Sequence, residues 1–169
     1  MVAQITAADE ELYWLALMLV PGLGPRLAGR LLGVYRDPRR IFEAPEEEIE
    51  QVGIKGSVAG SIASGCTFED AVQQQERLRA AGAKLLFWGH PGYPERLREI
   101  DEAPPILFAL GRLELLENRG VALVGTRRPT PYGATVAERL GRDLAAAGLC
   151  VVSGMARGID TAAHKGALS

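Results

Sequence analysis

Two short apolar runs dominate the pattern of the last third of the chain. Residues 121–124 read Val-Ala-Leu-Val, and residues 149–152 read Leu-Cys-Val-Val. Each run is short for a helix and is followed by a loop with glycine and arginine, and a helical stretch separates the two runs. The pattern predicts a βαβ unit with parallel strands. Because the loops after parallel strands lie at the same edge of a sheet, both loops are predicted to contribute to one ligand site.

Residues that favour helix ends mark the connecting helix on both sides. Thr130 can cap its N-terminus, Pro131 suits its first position, and Gly148 can end it with a positive φ. Aliphatic side chains that recur every four residues are predicted to form its buried stripe: Val136, Leu140 and Leu144. The helix after the second strand is predicted to begin at Asp160, whose carboxylate can cap N–H groups two or three residues further on.

The first part of the chain has a helical pattern without strands. One helix is predicted at 10–19 and a second at 25–32, joined by the tight turn Pro-Gly-Leu-Gly at 21–24, which is typical of a helix-hairpin-helix. A weaker copy follows, because residues 53–62 align with residues 22–31. Three aligned pairs are identical: Gly22 and Gly53, Ala28 and Ala59, Gly29 and Gly60. Two hairpins in tandem predict a module of four or five helices.

The hairpin has two interpretations. Its backbone N–H groups can face a DNA phosphate, which makes Gly22, Gly24 and Arg26 candidates for weak DNA contacts. A hairpin of this kind can equally serve only to pack two helices. Residues 1–81 carry eight basic and twelve acidic side chains, a net charge of −4. Because non-specific DNA affinity is mostly electrostatic, this charge favours a structural or partner-binding function for the module.

A change from a helical to a strand-like pattern predicts two domains. A helix is predicted at 67–81 and is followed by short strands at 84–88 and 106–110. We therefore assign residues 1–81 to a helical module and residues 82–169 to a domain with a parallel sheet. The chain stops within the helix that follows the second parallel strand, so we expect this sheet to be incomplete.

The composition is that of an ordinary globular protein, with 47% hydrophobic and 24% charged residues. The net charge of −2 is unevenly distributed, because residues 118–169 carry seven basic and three acidic side chains. Cys66 and Cys150 lack metal-ligand spacing and are not expected to pair. No apolar run approaches the roughly 20 residues that span a bilayer, and residues 1–6 lack the features of a signal peptide. We expect a cytoplasmic protein that does not contact membranes.

Catalytic and cofactor motifs are absent from the sequence of the two loops. Residues 125–130 lack the G-x-G-x-x-G of dinucleotide-binding proteins, and the chain has no P-loop. Ser153 and Gly154 lack the context of a nucleophile elbow. Asp160 and His164 lie four residues apart, where a helix cap and an interior hydrogen bond are favoured over acid–base catalysis. We predict no catalytic residue, no metal and no cofactor.

The two loops also carry a specific resemblance to a known family. Residues 124–133, Val-Gly-Thr-Arg-Arg-Pro-Thr-Pro-Tyr-Gly, and residues 151–168, Val-Val-Ser-Gly-Met-Ala-Arg-Gly-Ile-Asp-Thr-Ala-Ala-His-Lys-Gly-Ala-Leu, resemble the DNA-processing protein A family (DprA, also called Smf). Residues 93–97 and 103–111 resemble the family's lead-in to its Rossmann-like domain. The resemblance implies an α/β protein, in which an all-helical helix-hairpin-helix or SAM-like module precedes a truncated Rossmann-like parallel sheet.

This resemblance implies a binding protein and not an enzyme. Members of the family bind single-stranded DNA taken up in natural transformation and help to load the RecA recombinase onto it, and we expect the complete protein to be a homodimer. The arginine of the Gly-Thr-Arg motif, here Arg127, is a principal DNA contact of the family. The predicted DNA groove is lined by glycines, hydroxyl side chains and arginines: Gly125, Thr126, Arg127, Arg128, Ser153, Gly154, Arg157 and Gly158.

Three other interpretations stay open. Rossmann-like phosphoribohydrolases have a related strand, loop and helix and bind nucleoside monophosphates at the same edge, so an enzyme of this type is the main alternative. A scaffold that recruits RecA is compatible with DNA binding. Arg157 can instead brace its own loop by donating to backbone carbonyl groups.

Overall fold

The computed structural model describes residues 7–169, so the prediction about a signal peptide at residues 1–6 lies outside the described part of the chain. The chain forms two compact units, one that ends at Leu113 and one that comprises Glu114–Ser169. Helices and short strands occur together, which confirms the predicted mixed α/β class. No helix in residues 7–169 is long and apolar enough to cross a membrane.

Helices form most of the first unit. In the described residues they are α1 (Ala7–Leu19), α2 (Pro25–Tyr35), α3 (Pro38–Glu43), α4 (Glu46–Gln51), α5 (Gly56–Ser64) and α6 (Phe68–Ala80). Their apolar faces meet in one core, in which Leu15, Leu31 and Ile62 are fully buried. The buried Thr67 hydroxyl donates to Ala16 O at 2.8 Å and so ties the start of α6 to α1.

The repeat in the sequence is also a repeat of backbone geometry. Gly22 and Gly53 adopt positive φ angles of 81° and 86°, and three residues later Pro25 and Gly56 each begin a helix. The two copies pack against each other, because a Cβ on Gly22 would meet Val58 Cγ2 at 3.3 Å. This packing supports the structural interpretation of the hairpins.

A two-stranded antiparallel sheet belongs to the first unit. Strand β1 (Lys84–Phe87) pairs with β2 (Ile106–Ala109), and the short helix α7 (Glu95–Arg98) lies in the connection between them. The ring of Phe87 stacks on that of Trp14 with centroids 5.1 Å apart, so β1 is part of the helical core. The first unit therefore includes strands that the sequence analysis placed in the second domain. The boundary after residue 81, as the end of a module that folds independently, stays a prediction.

The second unit contains the predicted βαβ arrangement. After the 3₁₀ turn Leu113–Glu117 come β3 (Gly120–Ala122), α8 (Pro131–Ala146), β4 (Cys150–Val152) and α9 (Ile159–Ala167). The two strands are parallel, with Val121 opposite Val151. Thr130 caps α8 by accepting a hydrogen bond from the Gly133 N–H at 3.1 Å, and Gly148 has a φ of 78° just beyond its end. The parallel pairing and both helix ends are confirmed.

Helix α8 packs on α9 through small residues and not through the predicted aliphatic stripe. Val136 and Leu140 are each 44% exposed and Leu144 is half-buried, whereas Gly141 is buried. A Cβ on Gly141 would overlap the backbone carbonyl of Ala163 in α9. The predicted stripe is wrong because periodicity identifies large apolar side chains, while the distance between two helix axes is set by the smallest residues at their contact.

Replacing Gly141 tests this helix contact. Gly141→Ala should destabilise the second unit by about 1–3 kcal/mol, because the added methyl group forces α8 and α9 apart. The measurement is urea unfolding followed by circular dichroism.

Gly33→Ala is the matched control, since Gly33 also lies inside a helix but has no atom within 4 Å of an added Cβ. That substitution should be neutral or stabilise by about 0.5–1 kcal/mol, as expected for alanine in a helix. Equal effects of the two substitutions would show that the α8–α9 contact is not as close as described.

Candidate nucleic-acid interface

The two loops that follow the parallel strands lie side by side. The Ile159 N–H donates to Thr126 O at 3.2 Å, and the Ser153 hydroxyl donates to Leu123 O at 2.6 Å. Gly158 has a φ of 87°, and a Cβ on it would overlap Thr126 O. Only glycine combines this conformation with so close an approach. The sheet edge thus brings both loops into one surface, as the βαβ pattern predicts.

Two further loop glycines are explained by packing inside the protein. A Cβ on Gly125 would lie 2.7 Å from Ile159 Cγ1, and one on Gly154 would lie 3.0 Å from Asp160 Oδ2. Both glycines were predicted to line the DNA groove. In the structure a protein side chain already occupies the neighbouring space, so their contact with DNA stays a prediction.

A buried carboxylate holds the loop after β4. Asp160 is 6% exposed, and its Oδ2 accepts hydrogen bonds from the N–H groups of Gly154 at 3.0 Å and Ala156 at 3.4 Å. Both donors precede Asp160 in the chain, whereas the sequence analysis expected it to cap N–H groups further on. Helix α9 begins at Ile159 with Gly158 as its N-cap residue, so the predicted cap at Asp160 is corrected by two residues and the predicted helix start by one.

The surroundings of Asp160 lower its pKa. Burial alone would raise the pKa from its ordinary value of 3.8, but hydrogen bonds from the N–H groups of Ala156, Gly154 and Gly125 favour the charged form and outweigh it. The Ser153 hydroxyl also lies beside the carboxylate, but its only proton is donated to a carbonyl of the neighbouring loop. We therefore attribute the lowered pKa to the backbone N–H groups.

The carboxylate also stabilises an unusual backbone conformation at the tip of its loop. Met155 has a φ of 55° although it is not glycine, and its side chain is 85% exposed. This conformation costs roughly 1–2 kcal/mol for a residue with a Cβ. The two N–H groups held by Asp160 belong to the residues on either side of Met155, so the carboxylate fixes the conformation from both sides.

The arginines of the two loops are free to bind anions. Thr126 Oγ1 accepts a hydrogen bond from the Arg128 N–H at 3.1 Å, which ties the loop to itself and leaves the side chains outside. Arg127, Arg128 and Arg157 are exposed, and within residues 7–169 their guanidinium groups form no ion pair or hydrogen bond. The alternative in which Arg157 braces its loop is therefore not supported. Each guanidinium offers five N–H donors suited to phosphate.

A groove of about 390 Å³ opens beside Arg157. It is lined by residues of α8, α9 and the ends of both loops: Pro129, Ala134, Glu138, Arg157, Gly158, Thr161, Ala162 and Lys165. The sequence analysis predicted only Arg157 and Gly158 among them. Thr161 and Lys165 lie four residues apart in α9 and so share one side of that helix, but no sequence pattern links them to Pro129, Ala134 and Glu138.

Neither His164 nor the cysteines form a recognisable chemical site. His164 Nε2 is buried and has no hydrogen-bond partner in the part of the chain that the structure describes, so the predicted interior hydrogen bond is not formed at this atom. Cys66 is exposed and Cys150 is half-buried, and both are free. Over residues 7–169, no group of three or more His, Cys, Asp or Glu residues is placed to hold a metal ion.

The candidate DNA contacts of the hairpin lie in the first unit, whose net charge is negative and therefore does not favour DNA binding. Gly24 has open space where a Cβ would be, and Arg26 is exposed, so both can be reached from solvent. The first unit carries twelve basic and sixteen acidic side chains, while the second carries seven and five. The weak DNA contacts of Gly22, Gly24 and Arg26 stay a prediction.

Parallel strands and a connecting helix define an α/β protein, and at the ends of its strands it presents arginines that have no protein partner in residues 7–169. The chain belongs to the family described as DNA recombination-mediator protein A, whose family model matches residues 84–169. This membership confirms the family resemblance of the loop motifs.

Relatives of the chain carry names from the same family. It is 33% identical over 167 residues to "Protein Smf" of Synechocystis, which covers 96% of this chain and 42% of that protein. It is 42% identical over 73 residues to "DNA processing protein DprA" of Bacillus subtilis, covering 43% of this chain and 25% of that protein. The X-ray structure of DprA from Streptococcus pneumoniae superposes with a TM-score of 0.64 at 28% identity, covering 97% of this chain and 54% of that one. The chain thus spans about half or less of the length of these relatives.

Replacing Asp160 tests its structural role. Because the folded-state pKa is lowered, the carboxylate contributes stability that is present above its ordinary pKa of 3.8 and is lost as the pH falls through the folded-state value. Asp160→Asn should therefore reduce stability at pH 7 and weaken the loss of stability in acid. Urea unfolding midpoints at neutral pH and below pH 3.8 measure both effects.

The control is Asp143→Asn, because Asp143 is an acidic residue of α8 whose side chain is 63% exposed. That variant should keep the acid dependence of the unsubstituted chain. If Asp160→Asn also keeps it in full, the carboxylate is not the group that stabilises the loop.

Proposed function

We propose that this protein binds single-stranded DNA in the manner of the DNA-processing protein A family, with the phosphates held at the edge formed by the two loops. The observation that carries the proposal is the presence of three exposed arginines, Arg127, Arg128 and Arg157, on adjacent loops without a protein partner in residues 7–169. Guanidinium groups bind phosphate through two parallel hydrogen bonds, which gives both affinity and orientation. The names of the relatives support a function in DNA processing.

The loops are built to hold these arginines in place rather than to carry out a reaction. Asp160 and Gly158 are used to fix the backbone, and the Ser153 and Thr126 hydroxyls are engaged in loop hydrogen bonds. A fixed loop backbone lowers the entropy lost on binding, because only the arginine side chains and the DNA strand have to be ordered. We therefore propose a binding protein without catalytic activity, which acts in the cytoplasm.

The family suggests the setting in which this binding is used. We propose that the complete protein is a homodimer that protects incoming DNA during natural transformation and helps to load RecA onto it. The relatives named DprA and Smf support this setting over a phosphoribohydrolase. Incubation with nucleoside monophosphates tests the alternative directly, since release of free base would establish the enzyme.

Arg127 is the first residue to test. Arg127→Ala should weaken the binding of a single-stranded oligonucleotide by about 1.5–3 kcal/mol, the range for a hydrogen bond to a charged group. Losing one phosphate contact should also flatten the slope of log affinity against log salt by about 0.7. Arg127→Lys should recover only part of the affinity, because lysine keeps the charge and loses the planar fork. Fluorescence anisotropy at several salt concentrations measures all three quantities.

Arg26→Ala supplies the matched control, because it removes an equally exposed arginine from the hairpin of the acidic first unit. It should leave the affinity and the salt slope nearly unchanged. Unchanged binding by a folded Arg127→Ala protein would contradict the proposed loop site. A large loss on Arg26→Ala would instead assign the DNA contact to the hairpin.

A further inference from the structure

The groove beside Arg157 carries a cation that the proposed loop site does not use. Lys165 lines the groove, is exposed, and within residues 7–169 forms no ion pair or hydrogen bond. We propose that this groove is a second phosphate subsite, which continues the DNA path from the arginine loops along α9 with Lys165 as its contact. The proposal rests on the proposed function and names where the bound strand goes next.

Arg157 connects the two parts of this path. It lies in the loop after β4 with the other candidate contacts, and it also lines the groove that contains Lys165. Helix α9 begins two residues after Arg157, and the six helical steps from Ile159 to Lys165 correspond to about 9 Å at the 1.5 Å rise of a helix. A strand that leaves Arg157 along α9 therefore passes a second cation at Lys165.

The side chains of the groove point to Lys165 as the group that contacts phosphate. The Thr161 hydroxyl lies between the two cations, but it donates its proton to Ala156 O at 2.8 Å. Thr161 therefore forms a wall of the groove and does not donate to a ligand. The remaining lining residues near the loops, Pro129 and Ala134, have no donor in their side chains.

Glu138 also lines the groove, where its negative charge would repel a bound phosphate, and this provides a second test. Its carboxylate lies 3.5 Å from Arg142 Nη2, and both side chains are about half exposed, at 46% and 52%. The ion pair offsets only part of the negative charge, because exposed pairs interact weakly in water. Removing this charge should therefore strengthen DNA binding, which is an outcome that damage to the fold cannot produce.

The experiment measures oligo-dT binding to the full chain by fluorescence anisotropy, with oligonucleotides of increasing length. Lys165→Ala should weaken binding of long oligonucleotides about two- to fivefold and flatten the salt slope by about 0.7. The shortest oligonucleotides that bind should be unaffected, because they occupy the arginine loops alone. Lys165→Arg should restore the affinity for long oligonucleotides.

Substitutions on α8 complete the design. Glu138→Gln should tighten the binding of long oligonucleotides about two- to threefold. Arg139→Ala is the control for charge alone, because Arg139 lies on the same helix, is 80% exposed and does not line the groove. It should change affinity less than Lys165→Ala does, and equally at all lengths.

The outcomes separate this subsite from the loop site. If Lys165→Ala leaves affinity unchanged at every length while Arg127→Ala weakens it, the loop site stands and the groove is overturned as a subsite. A loss equal at all lengths and matched by Arg139→Ala would reduce Lys165 to a contribution of net charge and also overturn the proposal. If the unsubstituted chain binds no oligonucleotide, the proposed function fails and the subsite fails with it.

Discussion

The candidate site depends on the contact between its two loops. Gly158 meets the backbone of the other loop at Thr126 and Arg127, where any side chain would collide, and the Ile159 N–H donates to Thr126 O at 3.2 Å. The Asp160 carboxylate holds the loop after β4 by accepting hydrogen bonds from two backbone N–H groups. These contacts use atoms of the backbone and of buried side chains. As a result, the exposed arginines take no part in holding the loops and stay available to a ligand.

This arrangement gives the glycine and acid residues of the loop motifs a structural explanation. Gly125 and Gly154 read in the sequence as places where a phosphate approaches the backbone. In the structure the Ile159 side chain occupies the space that a side chain on Gly125 would need, and the Asp160 carboxylate does the same at Gly154. A negative charge under the loop would oppose an anion bound to the same N–H groups. In the proposed site the phosphate therefore lies on the outer side, at the guanidinium groups.

Features set by local interactions could be predicted from the sequence. The cap at Thr130 and the helix end at Gly148 follow from a few neighbouring residues, and both are present. The parallel pairing of β3 and β4 also follows, because a helix between two short strands leaves few other arrangements. The loop arginines could be identified for the same reason, since their position after a strand is a local property.

Features that depend on which helices and strands pack against each other could not be predicted in this way. The buried face of α8 is determined by α9, which approaches closely at Gly141 and leaves Val136 and Leu140 partly exposed. Likewise β1 reads as an isolated strand, but the stacking of Phe87 on Trp14 makes it part of the helical core. The groove with Lys165 arises from the same close packing of α8 and α9. Its residues come from two helices and two loops, so no single stretch of sequence predicts it.

The distribution of charge links these observations to how DNA would be bound. Residues up to Leu113 carry four more acidic than basic side chains, while Glu114–Ser169 carry two more basic than acidic ones. A net charge of +2 is too small for strong non-specific attraction, because such affinity grows with the number of phosphates neutralised. Affinity must then come from a few well-placed contacts rather than from a broad positive surface. Fixed loops that present unpaired arginines, followed by one lysine along α9, meet that requirement, and the arginines contribute most because guanidinium groups can bind phosphate through two parallel hydrogen bonds.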